Sequence, residues 1–184
     1  MRYGIARTTI LLFLMTLAPH YGTAQSCQLF ATALEVVGAK PDSTILVDRT
    51  VMGVPAFAFL ALSDVYRGDT ALARRMEPAL RTLNATRAPI PACLSDSLGW
   101  HTITDSTLVA FFSLPEKRWV AFRSSYPATP KFAILSRPII VGDTATVFVA
   151  IASGDLAGRG LIVRLLRDAA GRWFKHSEVQ LWVS

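Results

Sequence analysis

The chain changes its hydrophobic period once, near its middle. Leu29, Phe30, Ala33, Leu34, Val36 and Val37 recur at three- and four-residue spacing after Ser26, a candidate cap, and Gly38 stands where a helix would stop, so the pattern predicts a first short helix. Thr44-Ile45-Leu46-Val47 predicts a strand, followed by Asp48-Arg49-Thr50. Over residues 55–66, Phe57, Phe59, Leu60, Leu62 and Val65 predict a helix starting at Pro55 and ending near Gly68. Another helix is expected from the capping residue Asp69 through Leu72, Met76, Leu80 and Leu83, with Pro78 kinking or dividing it. Residues 87–91, with two prolines, read as a loop.

Beyond residue 130 the apolar runs become strand-like. Segments 132–135, 138–141, 145–151, 161–166 and 173–183 alternate with turn signals, and Gly142-Asp143 and Ala169-Ala170-Gly171 are short enough for hairpins. Consecutive strands joined by tight turns pair antiparallel. The expected class is therefore α+β, with amino-terminal helices packed on one face of a carboxyl-terminal antiparallel β-meander.

The amino end carries a different signal. Arg2 and Arg7 precede an apolar run from Ile10 to Ala18, and Gly22-Thr23-Ala24 offers small side chains at the first and third positions before a cut. This is the pattern of a secretory signal peptide over residues 1–24, with the mature protein starting at Gln25 and destined for the periplasm or the exterior. The run is far shorter than the roughly 20 residues a membrane span needs, and Pro19 and His20 interrupt it. About 160 residues remain, which suits one globular domain over residues 25–184.

Composition narrows the partner classes. Hydrophobic residues are 52% and charged residues 17%, which argues against disorder, and no later run is long enough to cross a membrane. The net charge of +6 is mild and its basic residues are scattered, so nucleic acid is not an expected partner. Fifteen of the 19 basic residues are Arg, which suits phosphate or carboxylate recognition through a bidentate fork, although a coding preference explains the bias better. Two cysteines remain after cleavage, Cys27 and Cys93. An exported pair reads first as a disulfide, second as two free buried thiols, and third as lipidation at Cys27, whose preceding residues match poorly.

Catalytic motifs are absent: there is no H-E-x-x-H, C-x-x-C, G-x-S-x-G, S-x-x-K or phosphate-loop pattern. The Gly154-Asp-Leu-Ala-Gly158-Arg-Gly160 segment lies between two expected strands instead of opening a helix, so it reads as a glycine-rich hairpin. His101 and His176 are too few for an all-histidine metal site, and no metal or cofactor is expected. Asp96, His101 and Asp105, with Ser95, Ser97 and Ser106, permit a Ser-His-Asp arrangement only if tertiary geometry assembles one. Arg118, Arg123 and Arg137 bracket Trp119 and Tyr126, which together define a candidate anionic or peptide-binding groove.

Trp119-x-x-Phe122, Tyr126-Pro127, Leu135-Ser136-Arg137, the strand at 145–151, the glycine segment at 154–160, Gly171-Arg-Trp173 and the closing Leu181-Trp182-Val183-Ser184 resemble small exported bacterial proteins of unknown function. The Ile45-Leu-Val-Asp-Arg-Thr50 segment and Leu83-Asn84-x-x-Arg87 extend the resemblance across most of the mature chain. It implies an antiparallel sheet with helices and brings no assigned activity. Such proteins often carry cysteines around the glycine loop, and their absence here removes a crosslink or metal reading of that loop. The expected function is a non-catalytic binding or interaction domain, using the sheet face or the 153–160 loop against a protein or peptide. The alternatives are a small extracytoplasmic hydrolase built on Ser and His101, and a structural envelope protein.

Overall fold

The computed structural model describes residues 23–51, 62, 64–113 and 118–184. The expected signal segment therefore lies outside the described residues except for Thr23 and Ala24, as does most of the helix expected over 55–66. Five described helices are α1 (Thr23–Val36), α2 (Thr70–Leu83), α3 (Cys93–Asp96), α4 (Asp105–Phe112) and α5 (Arg118–Ser125). The seven described strands are β1 (Thr44–Val47), β2 (Thr102–Ile103), β3 (Lys131–Leu135), β4 (Ile139–Val141), β5 (Thr144–Gly154), β6 (Ala157–Arg167) and β7 (Trp173–Val183).

All seven strands join one mixed sheet in the order β2-β1-β3-β5-β6-β7, with β4 also paired to β5. The carboxyl-terminal part is the expected antiparallel series, in which β4 pairs β5, β5 pairs β6 and β6 pairs β7. Gly142, at φ +60°, closes the β4–β5 hairpin in the left-handed region where glycine has no steric penalty. The expectation of a purely antiparallel meander needs correction, because the amino half supplies two sheet members. β1 pairs parallel with both β2 and β3. Thr44 aligns with Lys131 and Val47 with Ile103, so a strand from early in the chain is buried between two later ones.

Helices cover both faces, where one was expected. Leu29, Phe30, Ala33, Leu34 and Val37 of the α1 segment pack with Leu94 and Trp100 onto Leu46, Ala133, Leu135, Val147, Val149, Leu161, Val163 and Leu165. On the opposite face, Leu62, Val65 and Tyr66 join Met76 and Leu80 of α2 against Ile139, Phe148, Ala150 and Ile162. Alongside them, Trp119 and Phe122 of α5 cover Ile45, Val47 and Ile103. Alternate residues of one strand thus enter different cores, which is why residues 144–150 of β5 are buried without interruption.

Local signals set most of the ends. Asp69 caps α2 by accepting from the Leu72 amide at 3.0 Å. Pro78 lies inside α2, which runs continuously from Thr70 to Leu83, so the expected division does not occur. α1 begins before Ser26, which is therefore a helical residue and not its cap. Its other end is as expected: Gly38 has φ +70°, and the Ala39 and Gly38 amides bond the Leu34 and Glu35 carbonyls in a Schellman closure. Cys27 and Cys93 form a disulfide with Cα atoms 6.1 Å apart, joining α1 to α3 and setting aside free thiols and lipidation.

Candidate functional site

The two ends of the sheet differ in how their polar groups are used. At the carboxyl ends of β1 and β3, loop backbones are tied to one another by buried side chains. Asn84 donates to the carbonyls of Leu80 (3.1 Å) and Arg137 (3.4 Å) and accepts from the Arg137 amide at 2.8 Å. Thr50 Oγ1 accepts from the Ala88 amide, and Ser136 Oγ from the Phe148 amide. Asp48 accepts from the Asp105 amide at the start of α4, and Arg87 pairs with the Asp105 carboxylate. A cleft of about 350 Å³ remains there, lined by Asp48, Arg49, Arg87, Thr104, Asp105 and Ser106.

At the opposite end, the β5–β6 hairpin turns through Asp155 and Leu156, and Leu156 is 83% exposed. The glycines of this segment do not form a phosphate cradle; two of them make room for a ring. A Cβ on Gly158 would meet the Trp182 ring at 3.1 Å, and one on Gly160 would overlap it outright. Trp182 lies across both positions, so the glycine pattern is a ledge for an aromatic side chain from β7.

Helix α5 grips the hairpin from one side. Trp119 stacks on Phe132 at 5.6 Å and meets Phe112 edge-on at 5.0 Å, while Phe122 touches Phe111 and Tyr126. This docking aims two cations at the tip: Arg118 pairs with Asp155, and Arg123 donates to the Ser153 carbonyl at 2.5 Å. The structure thus brings Trp119, Tyr126, Arg118 and Arg123 together. Trp119 is only 8% exposed, its ring committed to packing, so the adjacent arginines are what reach the hairpin. Arg137 is elsewhere, donating to the Leu83 carbonyl at the other end of the sheet.

On the α1 face the hairpin borders a groove of about 360 Å³, bounded by Val37, Gly38, Lys131, Ile151, Ser153, Gly158, Arg159 and Val183 among others. Its origin is visible in the strands. Lys131 shares a face with Ala133 and Leu135, and Arg159 with Leu161 and Val163, but α1 stops at Val36 and leaves these last positions uncovered. Arg159 Nη2 donates to the Val37 carbonyl at 2.6 Å, capping the helix end where cations are favoured. Lys131 is half-buried, and neither it nor Arg159 forms an ion pair with a described carboxylate. Sequence reasoning passed over both residues. The signal was a cation in phase with the apolar face of a strand.

His101 is exposed at the amino end of β2, where its carbonyl accepts from the Leu46 amide. Its ring makes no hydrogen bond to a described serine or aspartate. Ser95 donates to Asp96, Ser106 lies beside Thr104 beyond the opposite end of β2, and Asp105 is held by Arg87. His176 is exposed on β7 at an irregularity in its pairing with β6. The described residues hold no cluster of three or more metal-ligating side chains, and no described helix is long and apolar enough to cross a membrane.

The described residues define an α+β protein built on a seven-stranded mixed sheet with helices on both faces. No protein family, curated protein or solved structure matches the chain.

Proposed function

We propose that this is an exported, non-catalytic binding domain, related to the small exported bacterial proteins it resembles, that engages a protein or peptide partner with the end of the sheet carrying the 153–157 hairpin. The observation that carries the reading is the hairpin itself: an apolar tip residue, Leu156, held out by two arginines from a helix packed through aromatic rings. A tip fixed in this way loses little conformational freedom on binding, which lowers the cost of association. Export is supported by the positive, apolar and small-residue pattern of positions 1–24 and is consistent with the Cys27–Cys93 disulfide.

Two measurements test it. A photocrosslinking amino acid placed at position 156 gives a discrete adduct in the cell envelope of the native host, while the same group at Val109, an exposed apolar residue of α4, gives none. Equal labelling at both positions, or none at 156, overturns the assignment of the hairpin. Mass spectrometry of protein recovered from that host finds an amino terminus at Gln25 or its cyclised form; an intact Met1 overturns export.

A further inference from the structure

We propose that the groove beyond the end of α1 is a carboxylate-binding seat, with Lys131 and Arg159 as its recognition residues; this rests on the peptide-binding reading above and names the chemistry the groove selects. The first argument is charge. Arg118, Arg123, Lys131 and Arg159 surround the hairpin, and the side-chain carboxylate paired among them is that of Asp155, held by Arg118. Lys131 is the least compensated of these. Its stem is half-buried at the start of β3, and its ammonium makes no ion pair with a described side-chain carboxylate, which leaves the charge open to a ligand's counter-charge. The other end of the sheet shows the contrast, since Arg87 there has its carboxylate within the chain.

The second argument is the shape of the lining. Val37, Ile151, Ala157 and Val183 supply apolar surface beside the two cations, with Ser153 and Ser184 also in the lining, so the groove combines an apolar flank with positive charge. That pairing suits a carboxylate on an aliphatic stem. Phosphate suits it less well, because phosphate cradles use several free backbone amides, and the Gly158 amide is already donated to the Ser184 carbonyl. Arg159 contributes its charge from a fixed position because one nitrogen is anchored on the Val37 carbonyl, and a pre-positioned guanidinium loses less freedom on gripping a ligand.

A peptide offers this group either at its carboxyl terminus or on Asp and Glu side chains. The test uses purified mature protein at low salt and four acetylated hexapeptides: an aliphatic one as free acid and as amide, and hexaglutamate and hexaglutamine, both amidated. Backbone amide resonances of Ile151, Ser153, Gly158 and Arg159 shift with the free acid, or with hexaglutamate, and not with the neutral counterpart. Which acidic peptide binds tells the terminal source from the side-chain source. Lys131→Gln weakens binding by about ten-fold or more, the usual effect of losing one charge-assisted contact. Arg75→Gln on the exposed surface of α2 removes the same charge and leaves binding unchanged. Binding of acid and amide alike, no shift with any peptide, or equal weakening by Lys131→Gln and Arg75→Gln each overturns the seat. If the seat fails in any of these ways while the position 156 adduct persists, the hairpin reading survives without it; loss of the adduct alone overturns the hairpin and not the seat.

Discussion

The two ends of this sheet carry similar residue types and use them in opposite ways. Where β1 and β3 end, Asp48, Asn84, Arg87, Asp105, Thr50 and Ser136 bind one another or nearby backbone, so the polar groups close on themselves. Where β3 begins and β5 turns, Lys131 and Arg159 face a groove also lined by Ser184, and neither cation pairs with a described side-chain carboxylate. A buried polar group with its partners in place holds a loop, and removing it costs stability. A cation such as Lys131, with no ion-pair partner among the described side chains, costs little to remove. The first end therefore works as scaffold, and the second is the surface proposed above for recognition.

The largest expected effect concerns the element that spans both ends. The disulfide links α1, whose end walls the groove, to the segment that follows Ile90, whose amide bonds the Asp48 carbonyl. Its loop of 66 residues corresponds to about 4 kcal/mol on the chain-entropy account. Reduction should lower Tm by about 10 °C in calorimetry, and an unchanged Tm would mean that packing alone holds α1 in place. Next, Asn84→Ala strips three hydrogen bonds made by a buried side chain and leaves the partly buried Arg137 amide unpaired, at a cost of about 2 kcal/mol in urea denaturation. If Asn84→Ala proves neutral, the scaffold role of that end is lost.

Gly160→Ala forces a methyl group against Trp182 and should destabilise by about 1–3 kcal/mol. In the Trp182→Ala background most of that penalty should vanish, and a double-mutant cycle with no coupling would contradict the ledge. A smaller effect comes from pH. Tyr66 is fully buried, donating or accepting with Thr146 and lying under the Arg164 guanidinium at 4.6 Å, and burial raises its pKa above 10.0. A raised native pKa means that stability is fully present below about pH 10 and is lost as pH climbs from there through the folded value. Tyr66→Phe should abolish that alkaline decline while costing about 1 kcal/mol at neutral pH for the Thr146 hydroxyl left alone. The smallest change is Lys131→Gln, expected within about 0.5 kcal/mol of the parent. A large loss there would turn the groove into scaffold and erase the contrast between the ends.

Much of the architecture was legible from local pattern. The strands over 132–135, 145–151 and 161–166 and the Gly38 and Asp69 boundaries follow from side-chain period and cap chemistry, which act over a few residues. Helices α4 and α5 were missed although their signals were present: Thr104 caps α4 by accepting from the Thr107 amide, and Trp119 and Phe122 stand one turn apart. The groove expected at Trp119 and Tyr126 does not follow from their types, because aromatic enrichment alone does not say whether a ring faces solvent or other rings.

What the sequence by itself determined is the class, the turn positions, the pairing of the two cysteines as the first choice among three, and the reading of residues 154–160 as a hairpin. Each rests on interactions between residues close in the chain or on a choice among very few partners. The insertion of β1 between β2 and β3, the helices on both faces, the seat of Trp182 over Gly158 and Gly160, and the groove at Lys131 and Arg159 were decided only by the tertiary structure. Each depends on contacts between segments far apart in the chain, which no periodicity measures, and the groove exists because α1 is shorter than the sheet it covers.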